Sequence, residues 1–416
     1  MDISVVGLGK LGLCTATCFA KAGLHVVGYD KNHQCYEDIC NEKCYIDEPK
    51  LESDMKKVLG DGHLKVSDNI DDAVNITSRT YIIVPTPSGA DGRFSNEYVY
   101  DVLEKIAPAL RAKKDYHVVN VVSTVMPGSC DGFIRFLEKE TGKKCGVDFG
   151  LTFNPEFIAI GTVMHNFTNP DMVLIGASDE RAGKVIHDDY LNFIDKDFIN
   201  MMSLKSAEIT KLSLNYFLAL KISFANEMAA ICEHIPGVNV DHIMKAIGQD
   251  TRVGEKLLRP GLGFAGPCLP RDNVAFGVFA DEYSYTSELS KATLKINENV
   301  INRIMAKISC HKCNVVDIIG MSYKSGTSLT EGSQSILLRD RLIKNGCAVR
   351  TFDQTPSYRI MECPDVIVMM SDSIEMPYVS LKKDVLFIDP WRRFPEMSDH
   401  ITYYGMGNSN VLEYTD

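Results

Sequence analysis

Residues 1–30 read MDISVVGLGKLGLCTATCFAKAGLHVVGYD and place two short apolar runs around a segment long enough for a helix. The runs, Ile3–Val6 and Val26–Tyr29, have the unbroken apolar character of strands that are covered on both faces of a parallel sheet. The pattern G-x-G-x-x-G at residues 7–12 follows the first strand and opens the predicted helix. A strand, a glycine-rich turn and a helix in this order predict the first unit of a doubly wound α/β sheet.

The glycine pattern is typical of dinucleotide binding, with a purely structural glycine turn as the alternative. Its three glycines serve a tight turn, close backbone approach to a pyrophosphate, and close packing of helix on strand. The helix start offers free N–H groups to the phosphates. A carboxylate follows at the end of the second strand, where it accepts hydrogen bonds from the ribose of NAD and repels the 2′-phosphate of NADP. The predicted NAD-binding residues of this unit are Gly7, Gly9, Lys10, Leu11, Gly12 and Asp30.

Further apolar runs alternate with segments of helical length, and each run ends in a polar or Gly/Pro cluster. The runs lie at residues 81–84, 118–122, 150–153 and 172–175. Three of the clusters contain Thr86, Thr124 and Glu156. Because ligands of open parallel sheets bind beyond the carboxyl ends of the strands, we expect these three side chains to line one crevice, with both threonines near the cofactor.

Residues 203–235 contain neither glycine nor proline and predict one long helix. At 1.5 Å per residue it would extend about 50 Å, a length that suits a connecting spine or a dimer element. Lys211, Asn215 and Asn226 share one of its faces. After it, residues 250–273 form a loop rich in glycine and proline that contains Cys268, Arg271 and Asp272. A nearby cation favours a nucleophilic thiolate, whereas a structural loop cysteine is the alternative.

A second strand–helix series follows a helical segment at residues 286–308. Candidate strands lie at residues 315–319, 347–352, 365–370 and 385–388, and residues 333–345 have helical character. We therefore predict an α/β fold of two Rossmann-like doubly wound domains joined by a long central helix.

Composition excludes several classes of protein. The 416 residues include 44 Lys and Arg against 55 Asp and Glu, so the net charge of −11 argues against sequence-independent nucleic-acid binding. No apolar stretch approaches the roughly 20 residues of a membrane span, and the N-terminus lacks the basic region of a signal peptide. Thirteen scattered cysteines predict a reducing cytoplasm with mostly inert thiols. Cys310 and Cys313 lack a second pair at zinc-finger spacing, so we expect no metal.

The longer motifs resemble the UDP-glucose/GDP-mannose dehydrogenase family from end to end. GFAGPCLPRD at residues 263–272 is similar to the family's nucleophile loop. NPEFIAIGTVMHNFTNPDMVLIG at 154–176 and KLSLNYFLALKISFANE at 211–227 resemble two further family segments. Three shorter stretches also resemble family motifs: VPTPS at 84–88, STVMPG at 123–128 and DTRVG at 250–254. The resemblance implies an NAD-binding domain at 1–202, a central helical dimerisation domain with the nucleophile loop at 203–309, and a sugar-nucleotide-binding α/β domain at 310–416.

The resemblance further implies a four-electron oxidation. A primary alcohol on a nucleotide sugar becomes a carboxylate while two NAD are reduced, and Cys268 forms a thiohemiacetal and then a thioester. Lys211 and Asn215 match the groups that stabilise negative charge on oxygen, Lys211 also being a candidate base, and Asp272 matches a supporting acid. Thr124 and Glu156 match the groups that position the hydrolytic water. The implied substrate-binding residues are Glu156, Phe157, Lys211, Asn215, Arg252, Gly263, Lys324 and Arg392.

UDP-glucose is the leading substrate candidate, with UDP-glucuronate as the product, which points to polysaccharide biosynthesis. Arg252 matches an arginine that reaches the neighbouring subunit's substrate, so the resemblance implies a homodimer or a higher homo-oligomer. Three alternatives stay open at this point. They are the same chemistry on another UDP- or GDP-hexose, a sugar-nucleotide-binding protein without turnover, and a two-electron β-hydroxyacid-type dehydrogenase that has no use for Cys268.

Four positions depart from the family pattern. Ile160 replaces a second glutamate and can neither orient water nor take a proton. Glu331 falls where the family has an arginine that contacts the cofactor. Ala265 replaces a loop glycine and Arg271 replaces a lysine. Because the nucleophile and its partners are retained, we expect retained oxidation chemistry with an altered substrate or a slower hydrolytic step.

Overall fold

A computed structural model describes residues 2–158, 161–311, 313–354, 356, 364–376, 381, 383–395 and 401–408. The chain forms two compact units, Met1–Leu212 and Ser213–Asp416, and the division falls within one long helix. Each unit contains its own sheet, as the predicted pair of Rossmann-like domains requires. The three-domain boundaries remain a prediction.

Within the described residues of the first unit, eight strands form one sheet in the order β3-β2-β1-β4-β5-β6-β7-β8. The first six positions follow the strand order of dinucleotide-binding folds. Pairing is parallel except between β6 and β7, which are antiparallel. The strands are β1 Ile3–Val6, β2 Val26–Tyr29, β3 Leu64–Val66, β4 Arg79–Ile82, β5 His117–Val121, β6 Phe149–Phe153, β7 Val173–Ala177 and β8 Ile199–Ser203.

Helices cover both faces of this sheet because successive strand residues point to opposite sides. Ile3 and Val5 belong to one apolar core, and Val6 belongs to the other. Strands buried on both faces explain the unbroken apolar runs. The helices of this unit are α1 Lys10–Lys21, α2 His33–Cys40, α3 Leu51–Gly60, α4 Ile70–Asn75, α5 Glu97–Ala112, α6 Ser129–Thr141, α7 Val163–Thr168 and α8 Glu180–Tyr190.

The second unit contains most of the long helix and a smaller parallel sheet. Its described strands follow the order β10-β9-β11-β12-β13, the second common doubly wound arrangement. The strands are β9 Val315–Ile319, β10 Ala348–Phe352, β11 Val366–Met369, β12 Leu386–Asp389 and β13 Thr402–Gly405. The helices are α9 Leu204–Cys232, α10 Val240–Gln249, α11 Leu269–Glu282, α12 Glu288–Ser309 and α13 Gln334–Lys344.

The predicted long helix is α9, which has 29 residues and ends at Cys232 rather than at residue 235. Three strands, β3, β8 and β13, were not predicted. β8 is an edge strand whose side chains are all partly or fully exposed. β3 has three residues and begins with one buried side chain followed by an exposed lysine, and β13 is an edge strand of aromatic residues with an exposed start. Short or edge strands lack the long apolar run that marks a central strand.

Candidate active site

The loops that follow β4 and β5 are tied together at the carboxyl end of the first sheet. The Thr86 hydroxyl donates to the carbonyl of Thr124 at 2.7 Å. The Ser123 hydroxyl donates to the carbonyl of Val84 at 2.7 Å and accepts from the Val84 amide at 2.9 Å. The structure thus brings Thr86 and Thr124 together. Glu156 follows β6, the strand next to β5.

The glycine turn has the close backbone approach that a dinucleotide requires. Gly7 has φ +97°, and a Cβ added to Gly12 would lie 1.8 Å from the Gly7 carbonyl oxygen. Gly9 is the N-cap of α1, where it offers no side chain to the first-turn N–H groups. Asp30 accepts from the Leu8 amide at 2.6 Å, which fixes the carboxylate beside the turn. These residues fit NAD, with the pyrophosphate at the start of α1 and the ribose at Asp30.

The side chain of Lys10 does not extend freely into solvent. Its ammonium lies 3.4 Å from the Glu48 carboxylate and donates to the Asp47 carbonyl at 3.1 Å. The Tyr45 hydroxyl donates to the Leu8 carbonyl at 2.8 Å. The segment around residues 45–48 therefore supports the glycine turn. Leu11 packs against the apolar core, so what it offers a cofactor is its backbone N–H.

Glu156 lies between a tyrosine and a lysine. The Tyr190 hydroxyl is 2.9 Å from Glu156 Oε1. Burial raises the pKa of Glu156 to about 7, although the Tyr190 hydrogen bond and the charge of Lys211 lower it. Lys211 Nζ donates to the Glu156 carbonyl at 2.8 Å and lies 4.5 Å from the centre of the Phe157 ring. The first unit thus gathers Glu156, Phe157 and Lys211.

Sequence reasoning missed Glu208, which is 1% exposed and lies one helical turn before Lys211 on α9. Its carboxylate accepts from the amides of Gly128 at 2.6 Å and Cys130 at 2.8 Å. These amides belong to the start of α6, which ends the loop that carries Thr124. An acidic residue in a largely apolar helix was the available signal.

Cys268 is exposed and is the N-cap of α11 in the second unit. Its carbonyl accepts from the Asp272 amide at 2.8 Å in the first helical turn. The buried Asp272 carboxylate accepts from Asn215 Nδ2 at 2.6 Å and lies 3.3 Å from Arg271 Nε. The second unit thus connects the cysteine loop to the asparagine of α9. A helix N-terminus and a nearby arginine both favour a thiolate at Cys268.

The cysteine loop packs closely on the segment after β9. Gly266 has φ +83°, and a Cβ there would lie 2.6 Å from the Tyr323 ring. Burial, and to a smaller extent Cys268, raise the pKa of Tyr323, as expected for neighbouring groups. Lys324 Nζ is 5.8 Å from the centre of the same ring. The structure therefore brings the Lys324 segment to the cysteine loop.

Two asparagines hold the first half of this loop. Asn297 Nδ2 donates to the Phe264 carbonyl at 3.0 Å, and a Cβ on Gly263 would lie 2.1 Å from Asn297 Oδ1. Asn226 of α9 donates to the Leu262 carbonyl and accepts from the Gly261 amide. Asn226 thus acts on the backbone of the loop, and only a residue without a side chain fits at Gly263.

The two arginines predicted to bind substrate have different environments. Arg252 is exposed and pairs with Asp250, two residues earlier. Arg392 is buried, and its five N–H donors are all used. It binds both oxygens of Asp241 and the carbonyls of Pro390, Met406 and Pro260. All five N–H donors of Arg392 therefore have acceptors within the protein.

The departures from the family pattern lie in different surroundings, and Arg271 is the one beside Asp272. Glu331 is exposed, Ala265 is partly buried, and Ile160 lies outside the described residues. Cys310 caps the end of α12, and Cys313 packs against the core of the second unit. Within the described residues, no group of three His, Cys, Asp or Glu side chains is placed to hold a metal ion. A search of the same residues finds no helix with the length and apolar character to span a membrane.

Sequence profiles of known families decide the assignment. The profile of the UDP-glucose/GDP-mannose dehydrogenase family, NAD binding domain, matches residues 1–194, and that of the central domain matches residues 205–299. The chain belongs to the UDP-glucose/GDP-mannose dehydrogenase family. This confirms the resemblance of the motifs. Family membership makes the protein an NAD-dependent oxidoreductase of nucleotide sugars.

Relatives in the family act on different sugars. The GDP-mannose 6-dehydrogenase of Pseudomonas syringae pv. tomato is 32% identical over 361 residues, which cover 86% of this chain and 82% of the relative. The UDP-glucose dehydrogenase structure from Pyrobaculum islandicum has a TM-score of 0.86 at 29% identity and covers 98% of both chains. The UDP-D-ManNAc dehydrogenase structure from Pyrococcus horikoshii has a TM-score of 0.85 at 28% identity, covering 99% of this chain and 100% of that one.

Proposed function

We propose that this chain oxidises the primary alcohol of a nucleotide sugar to a carboxylate through covalent intermediates on Cys268, with UDP-glucose as the leading substrate and UDP-glucuronate as the product. The observation that carries the proposal is the position of Cys268 as the exposed N-cap of α11, with the Asn215–Asp272 pair bound to the first turn of that helix. Reactive cysteines typically lie at exposed positions that stabilise an anion, whereas structural cysteines are buried and inert.

The overall reaction converts one alcohol, two NAD⁺ and one water into a carboxylate, two NADH and three protons. NAD supplies the acceptor for the hydride lost in each oxidation. In the first oxidation the alcohol loses its hydroxyl proton to a base, for which Lys211 is the candidate, and becomes an aldehyde. Lys211 and Asn215 stand one turn apart on α9, and their N–H donors stabilise negative charge on the reacting oxygen.

Cys268 keeps the aldehyde from escaping. Its sulfur forms a bond to the aldehyde carbon, which gives a thiohemiacetal, and the second oxidation converts this adduct to a thioester. Water then adds to the carbonyl carbon, the carbon–sulfur bond breaks, and the thiolate is regenerated. Glu156 and Thr124 are the proposed groups that hold and activate this water. A carboxyl whose pKa is about 7 is suited to accept a proton near neutral pH.

A different sugar is the second candidate, because the relatives named above include GDP-mannose and UDP-D-ManNAc dehydrogenases. In that case the same residues perform the same oxidation. Lys324, next to Tyr323 and the cysteine loop, and Gly263 are proposed to contact the substrate in either case. For Arg392 we propose a positioning role, through its bond to the Pro260 carbonyl of the loop.

The first experiment measures NADH formed per substrate consumed for UDP-glucose, UDP-galactose, UDP-N-acetylhexosamines and GDP-mannose. We expect two NADH from one of them, which names the substrate. One NADH would mean that oxidation stops at the aldehyde and would direct attention to hydrolysis and Ile160. If none of the substrates gives NADH, a direct binding assay separates an untested sugar from a binding protein without turnover.

The variant Cys268→Ser tests the covalent route. It lacks the nucleophile for thioester formation and should yield at most one NADH per substrate, with at least a 100-fold loss of carboxylate formation, the scale of lost nucleophilic catalysis. Cys310→Ser removes another exposed thiol of the second unit and should retain both oxidations. Full two-NADH turnover by Cys268→Ser would refute the mechanism.

We also propose that the protein acts as a homodimer or a higher homo-oligomer. Phe217, Phe224 and Ile231 recur every seven residues on α9 and are 54%, 41% and 46% exposed. Exposed apolar side chains on one face of a helix are typical of a protein–protein interface. Arg252 is exposed, although it pairs with Asp250, and is the group that we propose reaches the substrate of a neighbouring subunit.

The proposed location is the reducing cytoplasm, which the scattered spacing of the thirteen cysteines supports. The proposed product is an acidic nucleotide sugar, the kind of activated donor that polysaccharide biosynthesis uses.

A further inference from the structure

Tyr190 ends α8 and is 2% exposed, with its hydroxyl between two acceptors. The oxygen lies 2.9 Å from Glu156 Oε1 and 2.8 Å from Asn154 Oδ1. The ring packs against Phe19, Phe167 and Phe193 with centroids 5.5 to 5.8 Å apart. Because these contacts hold the ring, the hydroxyl remains beside Glu156.

The orientation of Asn154 is determined by its other neighbour. Its Nδ2 donates to the Leu174 carbonyl at 3.0 Å, and a carbonyl only accepts, so Oδ1 must face Tyr190. A phenol has one proton and donates it to one acceptor at a time. When Glu156 is ionised, Tyr190 donates to the carboxylate. When Glu156 is protonated, its O–H donates to Tyr190 and Tyr190 donates to Asn154.

We propose that Tyr190 is a positioning residue for thioester hydrolysis, because it supplies a matched hydrogen bond to Glu156 both before and after that carboxylate accepts a proton from water. The inference rests on the proposed function. Water forms the new carbon–oxygen bond, the thiolate of Cys268 departs, and one water proton goes to Glu156. The second proton leaves with ionisation of the carboxylic acid product. Ile160 is apolar and cannot share this task.

Titratable groups of α9, α1, β4 and α8 itself face this pair. Lys211 of α9 lowers the pKa of Glu156 and burial raises it, with a result of about 7. Cys18 of α1, Asp189 of α8 and Tyr81 of β4 are the other titratable neighbours, and Tyr81 interacts with Tyr190 rather than with Glu156. Burial and Glu156 raise the pKa of Tyr190, so the phenol stays protonated throughout the working range. Loss of the Tyr190 hydrogen bond, which favours the ionised carboxyl, therefore raises the pKa of Glu156 further.

The test is the pH dependence of thioester hydrolysis in Tyr190→Phe. Hydrolysis requires ionised Glu156, so its rate should rise with pH and reach half-maximum near pH 7 in the wild type. In Tyr190→Phe the midpoint should move up by about one pH unit, the size of one hydrogen bond to a carboxylate. At pH 7 the variant should accumulate the acyl-enzyme, seen as a burst of NADH and as added mass on Cys268.

Tyr81→Phe is the matched control. Tyr81 is equally buried, its ring lies 5.1 Å from Phe19, and its hydroxyl donates to Asp189 at 2.8 Å rather than to Glu156. Its pH midpoint should equal that of the wild type. If Tyr190→Phe does not fold, 3-fluorotyrosine placed at position 190 keeps the side chain and donates more strongly, so the midpoint should move down.

The outcomes separate the inference from the proposed function. A wild-type enzyme that never acylates Cys268 would overturn the proposed function, and the inference with it. Acylation with the same pH midpoint in Tyr190→Phe and Tyr81→Phe, or no shift with 3-fluorotyrosine, would overturn the inference alone.

Discussion

Two acidic residues of the first unit, Glu156 and Asp189, differ in the groups that bind their carboxylates. Glu156 is held by a phenol and by the charge of a lysine, and its pKa of about 7 allows it to change charge near neutral pH. Asp189 is buried and accepts from both Arg79 and Tyr81. In the proposed mechanism Glu156 accepts a proton, whereas Asp189 forms an ion pair with an arginine, so the partners of each carboxylate determine what it can do.

Backbone strain at a single residue leads to a stability prediction. Lys50 is exposed and has φ +67° at the N-cap of α3, in the left-handed region that favours glycine. Lys50→Gly should stabilise the protein by up to about 1 kcal/mol, since relief of strain exceeds the added entropy of the unfolded chain. Lys57→Gly, inside the same helix, should instead destabilise by about 1 kcal/mol. Urea unfolding measures the change in unfolding free energy of both variants. Equal changes would show that the left-handed backbone at Lys50 is not strained.

At the level of elements, the site depends on contacts between helix ends and loops. Glu208 connects the first turns of α9 to the start of α6, and Thr86 connects the loop after β4 to the loop after β5. These bonds tie the chain around Thr124 to the helix that carries Lys211. Functional side chains far apart in sequence are thereby placed by a few backbone-directed hydrogen bonds.

The Glu208 contact predicts a loss of stability in Glu208→Gln. An amide has one acceptor oxygen where the carboxylate has two, so one buried amide of the α6 start loses its partner. We expect a destabilisation of about 2 kcal/mol in chemical denaturation. Glu180→Gln, in the exposed first turn of α8, should cost less than about 1 kcal/mol. A Glu208→Gln variant as stable as Glu180→Gln would show that the contact contributes little.

At the scale of the whole molecule, the proposed assembly predicts a change in mass. Phe224→Glu places a charge in the apolar stripe of α9 and should weaken self-association at least tenfold, because a buried charge without a partner is costly. Light scattering at several protein concentrations measures this. Val147→Glu changes an exposed apolar residue of the first unit, 67% exposed against 41% for Phe224, and should leave the mass unchanged. A wild-type protein with the mass of one chain would refute the proposed oligomer.

Much of the architecture could be predicted because central strands are buried on both faces and leave unbroken apolar runs. The glycine turn, α9 and the central strands of both sheets were found in this way. The antiparallel direction of β7 was not, since an apolar run has the same composition in either direction. β3, β8 and β13 are too short or too near an edge to produce such a run.

The candidate site was only partly predictable because some of its residues belong to sequence motifs and others are defined by partners that are distant in sequence. Cys268, Lys211 and Asn215 belong to motifs, and Asp30 follows a strand end. Tyr190 and Glu208 belong to no motif, because their importance comes from partners 34 and about 80 residues away. The contacts of Arg392 were not predicted either, because its acceptors are mostly backbone carbonyls, whose positions no residue pattern reveals.

The buried guanidinium of Arg392 has a consequence for protein engineering. It joins α10 through Asp241, the cysteine loop through Pro260 and the chain after β13 through Met406. A chimera that takes its C-terminal sheet from a relative, with the junction near residue 310, divides this set of partners between two parents. Recombination within the family therefore has a natural unit that includes α10, the cysteine loop and the last strands together, and specificity should be transferred as that block.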